Sequence, residues 1–255
     1  MKTNNNHLLI CFVLMLVLSG YAHAQQIMLN GKITYERKYS LLKDLEEQNK
    51  DEEDNVWFEQ MKKNLPKYKI DLFELTFSKK QALYNTLQED ENPMLRWYKT
   101  ITEVSQKTVF DSDSTWANRT VYDKTYLIAD SISKPIWKLT GEYREIAGHT
   151  CRRATTILYD SVYVIAFYTD AIPVSGGPEF FSGLPGMVLG VVIPRMHTTI
   201  FATKVNTAVL TEADFVFKSK KKAVKVNREG YRNDLSSNTE QWGKYGNRFV
   251  LKALF

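Results

Sequence analysis

Few residues of this 255-residue sequence are of types that carry chemistry. His149 and Cys151 stand two apart, so in a strand they share one face, and Met196-His197 follows further on. Thioether, thiolate and imidazole together would suit copper(I). The spacing gives that reading no support, because neither a Cys-x-x-Cys nor a His-Glu-x-x-His arrangement occurs. Nucleophilic chemistry fares no better. Ser175 precedes Gly176-Gly177, but nothing marks a base to activate it, and no Gly-x-Ser-x-Gly turn is present. A Cys151–His197 dyad would need a proximity that sequence alone does not reveal. The expectation is a non-enzymatic protein, with no catalytic residue, no metal ligand and no cofactor assigned; a copper-like metal-handling accessory protein or an unrecognised enzyme are the alternatives.

The N-terminus explains why so few reactive residues remain. Lys2, an apolar run from Leu8 to Leu18 and the small residues of Ala22-His23-Ala24 have the layout of a cleavable secretory signal over residues 1–24. The run falls short of the roughly 20 residues a permanent anchor needs, so no transmembrane segment is expected after cleavage. Cleavage removes His7, His23 and Cys11, leaving Cys151 without a partner for an intramolecular disulfide. It also removes Lys2, and the formal charge of +5 becomes +4. The location expected is periplasmic or secreted, which makes nucleic acid an unexpected partner. Lys218-Ser-Lys220-Lys221-Lys222, with Lys225 beyond, is either a solvated face or a contact with anionic headgroups.

Residues 25–255 are of a length that suits a single β-rich domain. Gly31 to Tyr39 places Ile33, Tyr35 and Arg37 on one side and Thr34 and Glu36 on the other, which predicts a first strand. Leu41 to Asn64 is rich in Leu, Lys, Glu and Gln and predicts one or two amphipathic helices, divided at Asp51 to Asp54. Period two returns at Ile70 to Phe77 and again at Gln81 to Leu87. Short strands are then expected at 106–110, 120–126, 127–132, 136–139, 143–146, 151–159, 162–168, 187–193 and 198–205. Such regular spacing means a meander forming a curved sheet, sandwich or barrel. Thr211 can cap a helix start, Val226 to Trp242 predicts a further helix, and Arg248 to Phe255 reads as an apolar-alternating tail.

Trp137 to Val205 is the most informative stretch. Pro185 and Gly186 suit the second and third positions of a type II turn over Leu184 to Met187. Ser175-Gly-Gly-Pro178-Glu179 predicts a second rigid bend, with Pro178 suited to open a short helix. Between the two bends, Phe180-Phe181 should fill an apolar space. A second use of Ser175 to Gly177 would be to cradle an anion on successive backbone N–H groups.

The ordered set Trp137, Ile146, Gly148-x-x-Cys151-x-x-Ala154, Tyr168-Thr169, Ile172-Pro173, Gly177-Pro178 and Gly183-Leu-Pro-Gly-Met-Val-Leu189 resembles the GLPGLI family of exported bacterial proteins. Gly31-Lys-Ile-Thr-Tyr35 is similar to that family's first strand. Met187-Val188 replaces the usual Leu-Ile, a swap of similar volume, and His149 stands where an aromatic residue is common. The resemblance implies a mainly β (α+β) fold, a curved antiparallel sheet or half-barrel with a few packed helices, comparable to LolA-type lipoprotein carriers. The family is poorly characterised and supplies no chemistry.

A sheet with helices on one side can leave an apolar cavity. Trp97, Tyr98, Trp116, Tyr122, Tyr126 and Phe167 are candidates to line it or to fill the core. The residues assigned to binding are Phe180, Phe181, Gly183, Leu184, Pro185, Gly186, Trp137 and Tyr168, and the expected partner is a lipid, another hydrophobic ligand or an envelope protein.

Overall fold

In the computed structural model, which describes residues 27–48, 56–98 and 104–255, the alternation at the N-terminus becomes β1 (Gly31–Ser40). Its Ile33 and Tyr35 are fully buried while Lys32 and Thr34 are not. β1 pairs antiparallel with β2 (Tyr68–Phe77), which sets Ile33 opposite Leu75, Tyr35 opposite Phe73 and Arg37 opposite Asp71. The same face continues through β3 (Gln81–Gln88), β4 (Val104–Val109), β5 (Ser114–Val121) and β6 (Lys124–Ser131). Leu75 faces Tyr84, Tyr84 faces Gln106, and Arg119 lies between Val104 and Tyr126.

On the other side β1 pairs with β11 (Thr198–Thr207), followed by β10 (Met187–Ile193), β9 (Val162–Thr169), β8 (His149–Leu158) and β7 (Lys138–Ile146). A short β12 (Val224–Val226) adds parallel to β6. The described residues thus form one twelve-stranded sheet, antiparallel except at β12, that does not close into a barrel.

Four α-helices accompany the sheet among the described residues. α1 (Leu41–Gln48) and α2 (Val56–Asn64) fall within the stretch expected to be helical; residues 51–54, where a division was expected, lie outside the described residues. α3 (Arg228–Asn238) has Asn227 as its cap, whose side chain accepts from Gly230 N at 2.8 Å. α4 (Lys244–Leu254) replaces the strand-like tail expected from Arg248 to Phe255. Val250, Ala253 and Leu254 are buried together, a helical spacing that the short alternation concealed. Neither these helices nor any other among the described residues is long and apolar enough to cross a membrane.

One strand boundary also moves. Residues 120–126, expected as a strand, straddle a hairpin whose turn is Tyr122-Asp123, with Tyr122 at φ 51°. The strand before the turn begins earlier, at Ser114, and the one after it begins at Lys124 rather than at 127.

Two apolar cores result. The larger gathers Ile33, Tyr35, Phe73 and Leu75 with the strands from β8 to β11. The smaller packs Ala117, Tyr126 and Ile128 against Tyr231 and Leu235 of α3 and Val250, Ala253 and Leu254 of α4. Phe255 packs against both. α4 is further held to α1 by Arg248 and Lys252, which both pair with the buried carboxylate of Asp44.

Candidate functional site

The long connection between β9 and β10, residues 170–186, crosses the face of the sheet that carries Arg37, Tyr84 and Arg119. It is built from turns tighter than the sequence predicted. Val174 N donates to Ile172 O and Gly176 N to Val174 O, both at 2.8 Å, bending the chain at Pro173 and again at Ser175. Pro185 bends it in the same way, with Gly186 N donating to Leu184 O at 2.8 Å. The expected type II turn is therefore absent: Met187 N donates instead to Ile172 O at 2.9 Å. The Gly176 N–H is already engaged and is not free for an anion. Pro178 opens a turn closed by Phe181 N rather than a helix.

These bends carry Glu179 into the middle of the sheet face. Glu179 adopts φ 53°, a left-handed conformation uncommon for a non-glycine residue, and is buried. Its carboxylate pairs with Arg119, which is fully buried, and with Arg37 at 3.4 Å. Arg37 in turn reaches Asp71 at 3.2 Å, and Lys69 pairs with the same carboxylate. Gln106 Nε2 donates to the Glu179 carbonyl at 2.7 Å.

Burial opposes charge on Arg119, but the adjoining Glu179 outweighs it and raises the guanidinium pKa further. Burial also pushes the Tyr84 phenol well up, and the nearby Glu179 charge adds to this. The Tyr84 hydroxyl, Gln106 Oε1 and two Arg119 nitrogens (Nε and Nη1) have no protein hydrogen-bond partner. Tyr84 and Gln106 line a cavity of about 20 Å³ beneath the loop, large enough for one water molecule.

Phe180 and Phe181 separate this small cavity from a larger one of about 350 Å³. The larger cavity lies between the β8–β9 turn, the crossing loop, the start of α3 and the end of α4. Its apolar wall is Leu158, Tyr159, Phe180, Phe181, Leu254 and Phe255. Phe181 stacks on Phe255 with ring centroids 6.0 Å apart, and Tyr159 meets Phe255 edge-on at 5.6 Å. The polar wall is Arg228, Glu229 and Arg232 from the first turns of α3.

Arg228 and Arg232 are four apart and so share one helix face. The Arg228 guanidinium lies 5.7 Å from the Phe180 ring, and that of Arg232 lies 5.3 Å from Tyr159. Arg228 Nη2 donates to Ser131 O at 2.7 Å, while its buried Nη1 has no protein partner. Burial raises the Tyr159 phenol, with the neighbouring arginines pulling the other way, so at neutral pH it is an uncharged hydrogen-bonding group on the wall.

The structure divides the residues assigned to binding into two groups. Phe180 and Phe181 line the cavity. Leu184 and Tyr168 lie in the larger core, and Trp137 packs against it with Nε1 donating to Ser182 O at 2.8 Å. Gly183, Pro185 and Gly186 shape the loop and do not line the cavity. At Gly186 a Cβ would fall 2.1 Å from Thr169 O, which excludes any side chain. Of the other aromatic candidates, Tyr126 is core, Tyr122 is exposed, and the side chains of Trp97 and Tyr98 lie outside the described residues.

His149, Cys151 and His197 serve different local roles. Cys151 is fully buried, its Sγ donates to the His149 carbonyl at 3.4 Å, and burial pushes its pKa up to about 12, with the Glu145 charge adding. His197 ends a 3-10 turn and meets Glu47 of α1 at 2.6 Å. Among the described residues no three His, Cys, Asp or Glu side chains are grouped to hold a metal ion.

A family model described as a protein of unknown function, Porph_ging, matches residues 158–190. The matched window contains β9 and the whole crossing loop, and falls inside the stretch that resembles GLPGLI proteins. No curated protein matches this chain. Two crystal forms of PNGF-II are similar at 16% identity, with TM-scores of 0.49 and 0.47 over 81% and 80% of this chain. This chain spans about a third of PNGF-II, 33% and 32% in the two forms. An uncharacterized conserved protein from Thermus thermophilus is 8% identical, with a TM-score of 0.40 over 84% of this chain and 98% of its own.

Proposed function

We propose that this chain is an exported, non-enzymatic binding protein of GLPGLI type that holds an amphipathic acid in the 350 Å³ cavity. The layout of residues 1–24 supports export to the periplasm or beyond. In this reading the sheet is a half-barrel curved around the crossing loop, and the ligand takes a place between loop and helices. Its apolar tail lies on Phe180, Phe181, Leu158 and Leu254. Its acid group meets Arg228 and Arg232.

The observation that carries the proposal is the pairing of an aromatic wall with two arginines on one helix face. Pockets of about 300–1,000 Å³ with mostly apolar walls and a few placed polar groups are typical ligand sites. A liquid water occupies about 30 Å³, so this cavity holds roughly a dozen water-sized groups, a single medium-length tail rather than a whole phospholipid. Glu179 does not oppose an acid here because Arg119 and Arg37 neutralise it. Asp130, 3.6 Å from Arg228, and Glu229, exposed on the rim, weaken the field without filling the site.

Displacement of a dansyl-labelled fatty acid tests the proposal. Laurate should displace the probe, and dodecanol should do so more weakly. Arg228→Gln with Arg232→Gln should weaken laurate by tenfold or more, since hydrogen bonds to charged groups contribute about 1.5–3 kcal/mol. Laurate and dodecanol competing equally, or a probe that does not bind at all, would refute it.

A further inference from the structure

A separate cavity of about 190 Å³ opens where α4 meets α1 and the turn between β10 and β11. Three elements supply its walls. Glu47 stands in the last turn of α1, Arg195 and Met196 belong to the 3-10 turn Pro194–Met196, and Tyr245, Arg248 and Leu251 follow at intervals of three along one face of α4. The turn is rigidly placed, since His197 N donates to Pro194 O at 3.0 Å and Ser40 N of β1 donates to His197 O at 2.9 Å. Arg248 is fixed as well. Its Nε donates to Asp44 Oδ1 at 3.0 Å, and Lys252 Nζ takes Oδ2 at 2.7 Å.

The charges of this corner do not all find partners. Asp44 and Glu47 together balance Arg248 and Lys252. Arg195 is left over: it is exposed and forms no ion pair or hydrogen bond among the described residues. Glu47 is only half engaged. Its Oε2 meets His197 Nε2 at 2.6 Å and Arg248 Nη2 at 3.4 Å, whereas Oε1 takes no hydrogen bond among the described residues and the side chain is 36% exposed. One wall therefore offers an unused guanidinium and another an unused carboxylate oxygen. Met196, which is buried, and Leu251 add apolar surface backed by the larger core.

The geometry points to a binding site for a free α-amino acid, its carboxylate on Arg195, its ammonium on Glu47 Oε1 and its side chain against Met196 and Leu251. A plain anion would answer Arg195 but leave the Glu47 oxygen facing it, and a plain cation would meet Arg195 and Arg248. A molecule with both charges on one carbon satisfies both walls. His197 and Arg248 hold the second Glu47 oxygen and so aim the first, and the planar guanidinium fork of Arg195 matches a carboxylate. At about 30 Å³ for each water-sized group the cavity has room for roughly six, which suits a compact amino acid such as valine and excludes a long tail.

Isothermal titration of the full chain with valine tests this, beside two analogues that each lack one charge: isovalerate, without the ammonium, and isobutylamine, without the carboxylate. Valine should bind saturably, and each analogue should bind roughly tenfold or more weakly, because each gives up a hydrogen bond between charged groups. Arg195→Gln should weaken valine by about the same factor with the thermal melt unchanged, since Arg195 makes no contact that supports the fold. Glu47→Gln, which keeps an acceptor but loses the charge, should weaken it too. No saturable binding of valine, isovalerate binding as tightly as valine, or Arg195→Gln leaving the affinity intact would each overturn the inference. Arg228→Gln with Arg232→Gln should leave valine binding unchanged, so the outcome is independent of whether the larger cavity holds an amphipathic acid.

Discussion

Glu179→Ala removes the one carboxylate among the described residues that pairs with Arg119 and leaves a guanidinium at 0% exposure without that counter-charge. Breaking a buried pair from one side costs about 3–5 kcal/mol, because the remaining charge stays desolvated. Against a typical domain stability of about 5–15 kcal/mol this is a large share. At about 2–4 °C per kcal/mol for a chain of this size, the melting temperature should drop by about 6–20 °C. Removing both charges is a different perturbation. Arg119→Met with Glu179→Met leaves no unpaired ion, and Arg37 keeps Asp71 as a partner. The double variant should recover most of the loss, which a cycle closed by the single variants Arg119→Met and Glu179→Met reads as coupling. Urea unfolding followed by circular dichroism supplies the midpoints, compared at equal slope. A Glu179→Ala loss below about 1 kcal/mol, or a double variant as unstable as the two singles summed, would refute the reasoning.

Three further outcomes follow from the same geometry. Burial would raise the Asp44 carboxyl, yet Lys252 and Arg248 outweigh it and hold it below its usual range, and Arg37 with Lys69 does the same for Asp71. Both carboxylates therefore add stability that is complete above the unfolded value of about 3.9 and is lost as pH falls through the lower folded values. Urea midpoints taken down an acid series should fall in that window, and Asp44→Asn should start lower and fall less. Gly186→Ala would drive a Cβ to 2.1 Å from Thr169 O and should abolish soluble expression or lower the midpoint severely, whereas Gly183→Ala, 3.3 Å from Lys134 Cα at φ 86°, should cost about 1–2 kcal/mol, as left-handed strain does. Cys151, with its pKa near 12 and no exposed surface, should react with a thiol reagent only after unfolding.

Much of the sheet was legible from alternation alone. Ile33 and Tyr35 point inward because period two matches the pleat, and Met187 to Ile193 is a strand over the range its apolar run marks. Arg37 falls on the same side as Ile33 and Tyr35, and a charge in that position was the available sign of a buried ion network. Its partners were not legible, since Glu179 is 142 positions away and reaches Arg37 only by way of the crossing loop. The glycines and prolines of that loop announced rigid bends correctly. Their turn type was misjudged because the Met187 N–H goes to the distant Ile172 carbonyl, a tertiary bond that local turn preferences do not contain. Of the cavity, Phe180 and Phe181 were found because two bends isolate them. Arg228 and Arg232 were missed, although their spacing of four within a predicted helix already put them on one face.

The first strand of the domain needs a neighbour from near its other end. β1 is flanked by β2, which follows soon in the chain, and by β11, whose Thr203 hydroxyl bonds the Thr34 carbonyl across 169 positions. Until residues 198–207 arrive, an emerging chain holds β1 as a bare edge, and Ile33 and Tyr35 lack half of the wall that buries them. Such distant pairing slows folding and prolongs the interval in which the half-built sheet can join another copy.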